Sequence, residues 1–145
     1  MARQTFSTHG FEYTFEDNSG EILAAFQNAL ERGLESIGQK AVNYAVKSLR
    51  DQKAWDTGNL ASHVSYLVDG EEVYVGVQGV EYAPYVELGT GKYAEGGRPT
   101  PWVYQDDEGN WHWTAGYPAR PYIVPAAKDH AQEYRDILED SLENA

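Results

Sequence analysis

The chain contains no cysteine, which excludes disulfides, thiolate metal centres and cysteine nucleophiles. It has four histidines, and His9, His63, His112 and His130 show no i, i+3 or i, i+4 pairing. There is no HExxH pattern and no facial-triad spacing, so no metal site is expected. Positive charge is scarce: 11 Lys and Arg stand against 23 Asp and Glu, a formal net charge of −12. Such a surface repels phosphate backbones and anionic membranes, which argues against generic duplex-DNA binding. Long apolar runs are missing as well. Stretches such as 122–127 fall far short of the roughly 20 residues that span a bilayer. Residues 1–10 carry one Arg and lead into no apolar segment, so no secretory signal is expected and the chain is expected to begin in a cytoplasm.

Phosphate-cradling and nucleophile motifs are also lacking. Gly89-Thr90-Gly91-Lys92 has Val86 and Tyr93 where a P-loop needs Gly and Ser or Thr, and no GxSxG elbow occurs. Asp56, Ser62 and His63 are triad residue types, but adjacent Ser and His in an extended segment would point to opposite faces and not hydrogen-bond. Glu81 and Glu87 could be imagined as a carboxylate pair for sugar hydrolysis, although their spacing fixes no geometry. No catalytic residue, metal ligand or cofactor-binding residue is assigned.

What is present is a globular composition. The 145 residues are 41% hydrophobic and 13% aromatic, with a mean hydropathy of −0.61. A chain of this length suits a single domain that can bury about 70% of its unfolded surface. Phe11, Tyr13 and Phe15 alternate with polar residues, predicting a short strand. N-cap candidates Asp17, Asn18 and Ser19 precede Leu23, Phe26, Leu30, Leu34, Ile37, Ala41, Tyr44, Ala45 and Leu49. That spacing predicts one helix over about 19–52, with acids at its start and bases at its end. Gly33 and Gly38 mark either a bend or a close contact in it.

Asp56, Thr57, Gly58 and Asn59 form a turn signal, in which Asp56 or Thr57 could accept backbone N–H bonds and Gly58 a positive φ. A hairpin over 63–68 and 73–77 follows. Residues 82–88 are too short and mixed to assign by periodicity, but Tyr82, Tyr85 and Leu88 fall three apart and could sit under one helical turn closed by Gly89. Residues 89–100, with four glycines, read as a loop of the length usually kept for function or mobility. A second hairpin, 102–105 and 110–114, flanks the acidic tip 106–108. Trp102 with Tyr104, and Trp111 with Trp113, share strand faces, so four rings could form one ligand platform. They could equally hold the hairpin together or anchor a subunit contact. Pro125 could open a last helix carrying Ala127, Ala131, Tyr134, Leu138 and Leu142. The expected architecture is therefore α+β: a single domain, 1–145, with a long N-terminal helix and a C-terminal helix on a small, mainly antiparallel sheet. About five strands are expected, and a loop and hairpin insertion at about 91–117.

Three segments, in order, carry a resemblance: Trp55-Asp56-Thr57-Gly58-Asn59-Leu60, Tyr82-Ala83-Pro84-Tyr85-Val86-Glu87-Leu88-Gly89-Thr90, and Pro118-Ala119-Arg120-Pro121-Tyr122-Ile123-Val124-Pro125-Ala126. With the long helix before them and a helix after them, they resemble the tail-completion, or head-to-tail joining, family of long-tailed bacteriophages, over about 22–142. His63 stands where the family pattern has Ser, with Ser62 one position early, and the stretch from Thr90 to Tyr117 is longer than the family's loop.

The resemblance implies a non-enzymatic virion protein, made in the host cytoplasm and placed at the head–tail junction. It implies a homo-oligomeric ring, of six subunits, meeting head-completion or connector proteins on one side and a tail-tube or tail-terminator protein on the other. DNA would pass through without specific binding and no membrane would be involved; in that setting the acidic charge either lines a lumen and keeps DNA from sticking or serves ordinary solubility. Tyr82, Tyr85, Glu87, Thr90, Trp102, Tyr104, Trp111 and Trp113 are the expected subunit or partner contacts. Asp56, Thr57 and Gly58 are the expected structural turn. The alternative is a carbohydrate- or receptor-binding module built on Trp102, Tyr104, Trp111 and Trp113.

Overall fold

One helix sets the length of the molecule. In the computed structural model, which describes residues 2–52 and 57–145, α1 runs unbroken over Ser19–Gln52, about 50 Å at 1.5 Å per residue. Its start is fixed by Asp17, whose carboxylate accepts the Ser19 N–H at 3.0 Å. Hydrogen bonding to Ser19 holds that carboxyl below its ordinary range. Its buried side is the periodic stripe Ala29, Gly33, Leu34, Gly38, Ala41, Ala45 and Leu49. Small residues dominate the stripe, and the neighbours come in close: the side chains of Leu138 and Ser141 lie against Gly33, and the Tyr66 ring lies on Gly38. Both glycines therefore mark close contacts in a continuous helix.

The α+β class is as expected, but the strands form three separate antiparallel hairpins: β1 (Ala2–Thr8) with β2 (Phe11–Asp17), β3 (Val64–Asp69) with β4 (Glu72–Val77), and β5 (Trp102–Gln105) with β6 (Trp111–Thr114). β1 gave no sequence signal because an exposed strand needs no apolar alternation. Its marker is the two-residue connection His9-Gly10, both at positive φ, the requirement of a tight hairpin turn. The β3–β4 hairpin packs on the middle of α1.

Short helices replace several expected loops. The segment read as a turn is α2 (Thr57–Ser62), with Gly58 inside its first turn and in no left-handed conformation. Residues 83–88 form α3 (Ala83–Leu88), closed by the Gly89 N–H on the Tyr85 carbonyl at 2.9 Å. The C-terminal helix begins at Ile123, with Pro125 the third residue of α4 (Ile123–Lys128), and resumes as α5 (Ala131–Glu143). At the break, His130 stacks on Tyr44 of α1 with ring centroids 3.4 Å apart. Glu133 meets Lys40 at 3.3 Å and accepts the Tyr44 hydroxyl, and Ser141 bonds the Ala29 carbonyl at 2.5 Å, so α5 lies antiparallel along α1.

Gly38→Ala is expected to lower stability by about 1–3 kcal/mol, because the added methyl overlaps the Tyr66 ring. Gly20→Ala meets open space and should be neutral or stabilising, by up to about 1 kcal/mol. Urea unfolding followed by circular dichroism checks both.

Candidate functional site

The three sequence segments that resemble the phage family meet in one place. The largest buried cluster gathers Ala45 and Leu49 of α1, Leu60 of the first segment, Val64, Ala83 of the second, and Tyr122 and Ala126 of the third. Leu60 and Tyr122 are almost wholly buried. Asp56 and Trp55 lie outside the described residues, as does the Thr57 side chain. The part of the first segment that can be followed contributes a helix and an apolar anchor.

Glu87 ties the second segment to the third. Its carboxylate accepts the backbone N–H groups of Tyr122 at 2.7 Å, Ile123 at 3.0 Å and Val124 at 3.0 Å. These amides open α4 and have no carbonyl partner within it, so a carboxylate satisfies them and also suits the positive end of the helix. Around this clasp, the Arg120 N–H bonds the Val86 carbonyl at 2.8 Å, and the Tyr122 hydroxyl donates to the Ala83 carbonyl at 3.2 Å. Burial, with the Glu87 carboxylate and Tyr82 close by, pushes the Tyr122 phenol up to about 12. The third segment also closes the end of α1: the Arg120 guanidinium bonds the Gln52 carbonyl at 3.0 Å, and the Gln52 amide bonds the Pro121 carbonyl at 2.9 Å.

This arrangement corrects several expectations. Glu87 spends its carboxylate on bonds within its own chain. Its oxygens are occupied by amides, so it is not poised as half of a carboxylate pair with Glu81. Thr90 is also internal: its hydroxyl accepts the Tyr117 N–H at 2.8 Å and its own N–H bonds the Tyr117 carbonyl at 2.9 Å. Backbones there approach so closely that a Cβ on Gly91 or Gly116 would overlap the facing chain. Ser62 and His63 do touch, with Oγ to Nδ1 at 3.1 Å, because Ser62 ends a helix and is not in a strand. Both nevertheless point at the Asn59 carbonyl, at 2.7 and 2.8 Å. The Ser62 proton is therefore donated to a carbonyl and not to an imidazole base.

The insertion leaves the junction as a stem, residues 90–92 against 115–117, and ends in the β5–β6 hairpin. Its acidic tip is structural: Asp106 accepts the N–H groups of Glu108 and Asn110 and meets His112 Nε2 at 2.7 Å. Hydrogen bonding to His112, then to Asn110, holds its carboxyl below the ordinary range. The pairing register is Trp102↔Thr114, Val103↔Trp113, Tyr104↔His112 and Gln105↔Trp111. Paired residues share a face, so Trp102 and Tyr104 lie on one side and Trp111 and Trp113 on the other. The expected four-ring platform does not form. Trp102 is half-buried beside the Arg98 guanidinium, 5.7 Å from its ring, and Tyr104 stacks on His112. Trp111 and Trp113 are each 69% exposed, next to exposed Val103. Tyr85 is exposed on α3, and Tyr82 is half-buried and accepts the Asn59 amide at 3.0 Å.

Among the described residues no group of three His, Asp or Glu is placed to hold a metal ion, and no helix is long and apolar enough to cross a membrane. A cleft of about 240 Å³ beside α2 is lined by Val46, Arg50, Gly58, Ala61 and Ser62. Protein-family models, curated proteins and solved structures give no match to this chain.

Glu87→Ala is expected to destabilise the fold by about 2–3 kcal/mol, since three amides lose a charged acceptor. Glu87→Gln, which keeps one acceptor oxygen, should lose less. Thermal unfolding of the two variants beside the parent measures the difference.

Proposed function

We propose that the chain is a non-enzymatic virion component of a tailed phage, one subunit of a six-membered ring that joins head to tail and lets DNA pass. The observation that carries this reading is the mismatch between the protein's size and its surface. Its accessible area is 10471 Å², where a compact monomer of 16.2 kDa would have about 7,500 Å². The excess, about 3,000 Å² by the same relation, lies in two projections and not in a cleft. Every side chain described from Arg3 to Asn28 is exposed, and so is most of the β5–β6 hairpin.

Large exposed apolar side chains on projecting elements are the mark of a surface meant for protein contact. Each ring subunit must supply two half-interfaces of about 800 Å² for standard contacts, which the excess covers. The three family-like segments fit this reading as scaffold, since their described residues build the core and the clasp. The net charge of −12 gives the ring a means of keeping passing DNA from adhering.

Light scattering across a concentration series is expected to give the mass of six 16.2 kDa chains. A mass that stays at one chain into the millimolar range would overturn a ring that assembles unaided.

A further inference from the structure

The apolar stripe of α1 outruns its cover. From Ala29 to Leu49 it is buried, and α5 ends beside Ala29, where Ser141 bonds the Ala29 carbonyl. Beyond that point Ile22, Leu23 and Phe26 are 53%, 59% and 51% exposed, with half-buried Leu30 on the same side of the helix. The lane that α5 fills along α1 is therefore open over two further turns, about 10 Å.

Carboxylates border this open end on two flanks. On the first, a cleft of about 390 Å³ separates Leu30, Glu31 and Glu35 of α1 from Val68 and Glu71 of the β3–β4 hairpin. Glu35 accepts the Tyr66 hydroxyl at 2.6 Å, and among the described residues none of these three glutamates is paired with a cation. On the second, α5 stops with Glu139, Asp140 and Glu143 exposed near its end and no base in its last turn. Acids at the negative end of a helix dipole are unfavourable, and a cation placed there offsets both the acids and the dipole. Arg32, the nearest base in the sequence, lies on the far side of α1, about 180° from Leu23.

We infer that this face docks a basic amphipathic helix of a different protein, which continues the course of α5 along α1. Its apolar side seats on Ile22, Leu23, Phe26 and Leu30. Its Lys or Arg side chains meet Glu31 and Glu71 on one flank and the acidic end of α5 on the other. In such a groove the apolar face supplies affinity, and the rim charges supply register and choice of partner. A second copy of this chain is the poorer occupant, because its own open end repeats the same carboxylates. Its Val103, Trp111 and Trp113 face borders Asp107 and Glu108 at the hairpin tip and is no better matched. The inference does not depend on the ring reading and leaves the β1–β2 and β5–β6 projections to subunit contacts.

The probe is a capped synthetic helix of about 18 Leu, Ala and Lys residues, with Leu at helical spacing on one side and Lys on the other. Calorimetric titration into the full chain should show saturable binding of one peptide per chain, at least about tenfold tighter than a peptide of the same composition in scrambled order. A version with Glu in place of Lys should not bind. Leu23→Ser with Phe26→Ser, and separately Glu31→Gln with Glu71→Gln, should each weaken binding and leave the unfolding midpoint nearly unchanged, since these side chains are exposed. Asp107→Asn with Glu108→Asn removes the same charge from the hairpin tip and should change nothing. Absence of saturable binding overturns the inference. So does equal binding of the scrambled peptide, or equal weakening by the hairpin-tip pair, either of which would mean attraction to the overall charge and not to this groove. Self-association that Leu23→Ser with Phe26→Ser abolishes, without peptide binding, assigns the face to a second copy and also overturns it. The mass of the assembly reads the ring separately, so the two readings fail independently.

Discussion

The arrangement of this protein depends on one carboxylate. Glu87 holds three amides at the start of α4, and it is the charged member of a set of bonds, with Arg120 to Val86 and Tyr122 to Ala83, that keeps two segments separated by the whole insertion in register. The clasp is polar, short and directional, and it sits beside an apolar cluster that is neither large nor rich in big side chains, with Tyr122, Leu49 and Leu60 its largest fully buried members. In a chain whose described side chains from Arg3 to Asn28 and most of whose hairpin are exposed, such a cluster supplies hydrophobic attraction but little orientation. The amide-to-carboxylate bonds supply the orientation. Arg120 and Gln52 extend the same logic to the end of α1, so the exit of the long helix, the insertion stem and the final helices are all fixed relative to one another.

The elements legible in the sequence were those with a strong period. Leu34, Ala41, Ala45 and Leu49 announced α1 and its buried side, and both predicted hairpins lie within a residue or two of their expected limits. What could not be read was anything fixed by pairing between distant segments. Within β5 and β6 the alternation was right, yet the faces were assigned wrongly, because cross-strand parity is set by the length of the 106–110 connection. One residue more or fewer there would bring Trp111 and Trp113 round to the side of Trp102. Glu87 was singled out as a contact residue, and its bonds to residues 35 to 37 positions away have no local signature. Leu60 passed unnoticed as a core residue because a single apolar residue in a polar turn has no periodicity, although it is the anchor of that segment.

The cysteine-free composition and acidic surface fit the same picture. A core made of small helix residues and a few aromatics allows close backbone approach, as at Gly38 under the Tyr66 ring. This gives a slender body with much of its mass in projections. The proposed ring would take its cohesion from surfaces that a solitary subunit leaves wet.

The uninterrupted run of α1 has a mechanical consequence. Since the clasp grips the helix at Gln52 and the arm sits at the other end, the subunit behaves as a lever, and a tilt of about 5° at the junction carries Phe26 through about 3 Å. A displacement of that size is comparable to a side-chain contact distance.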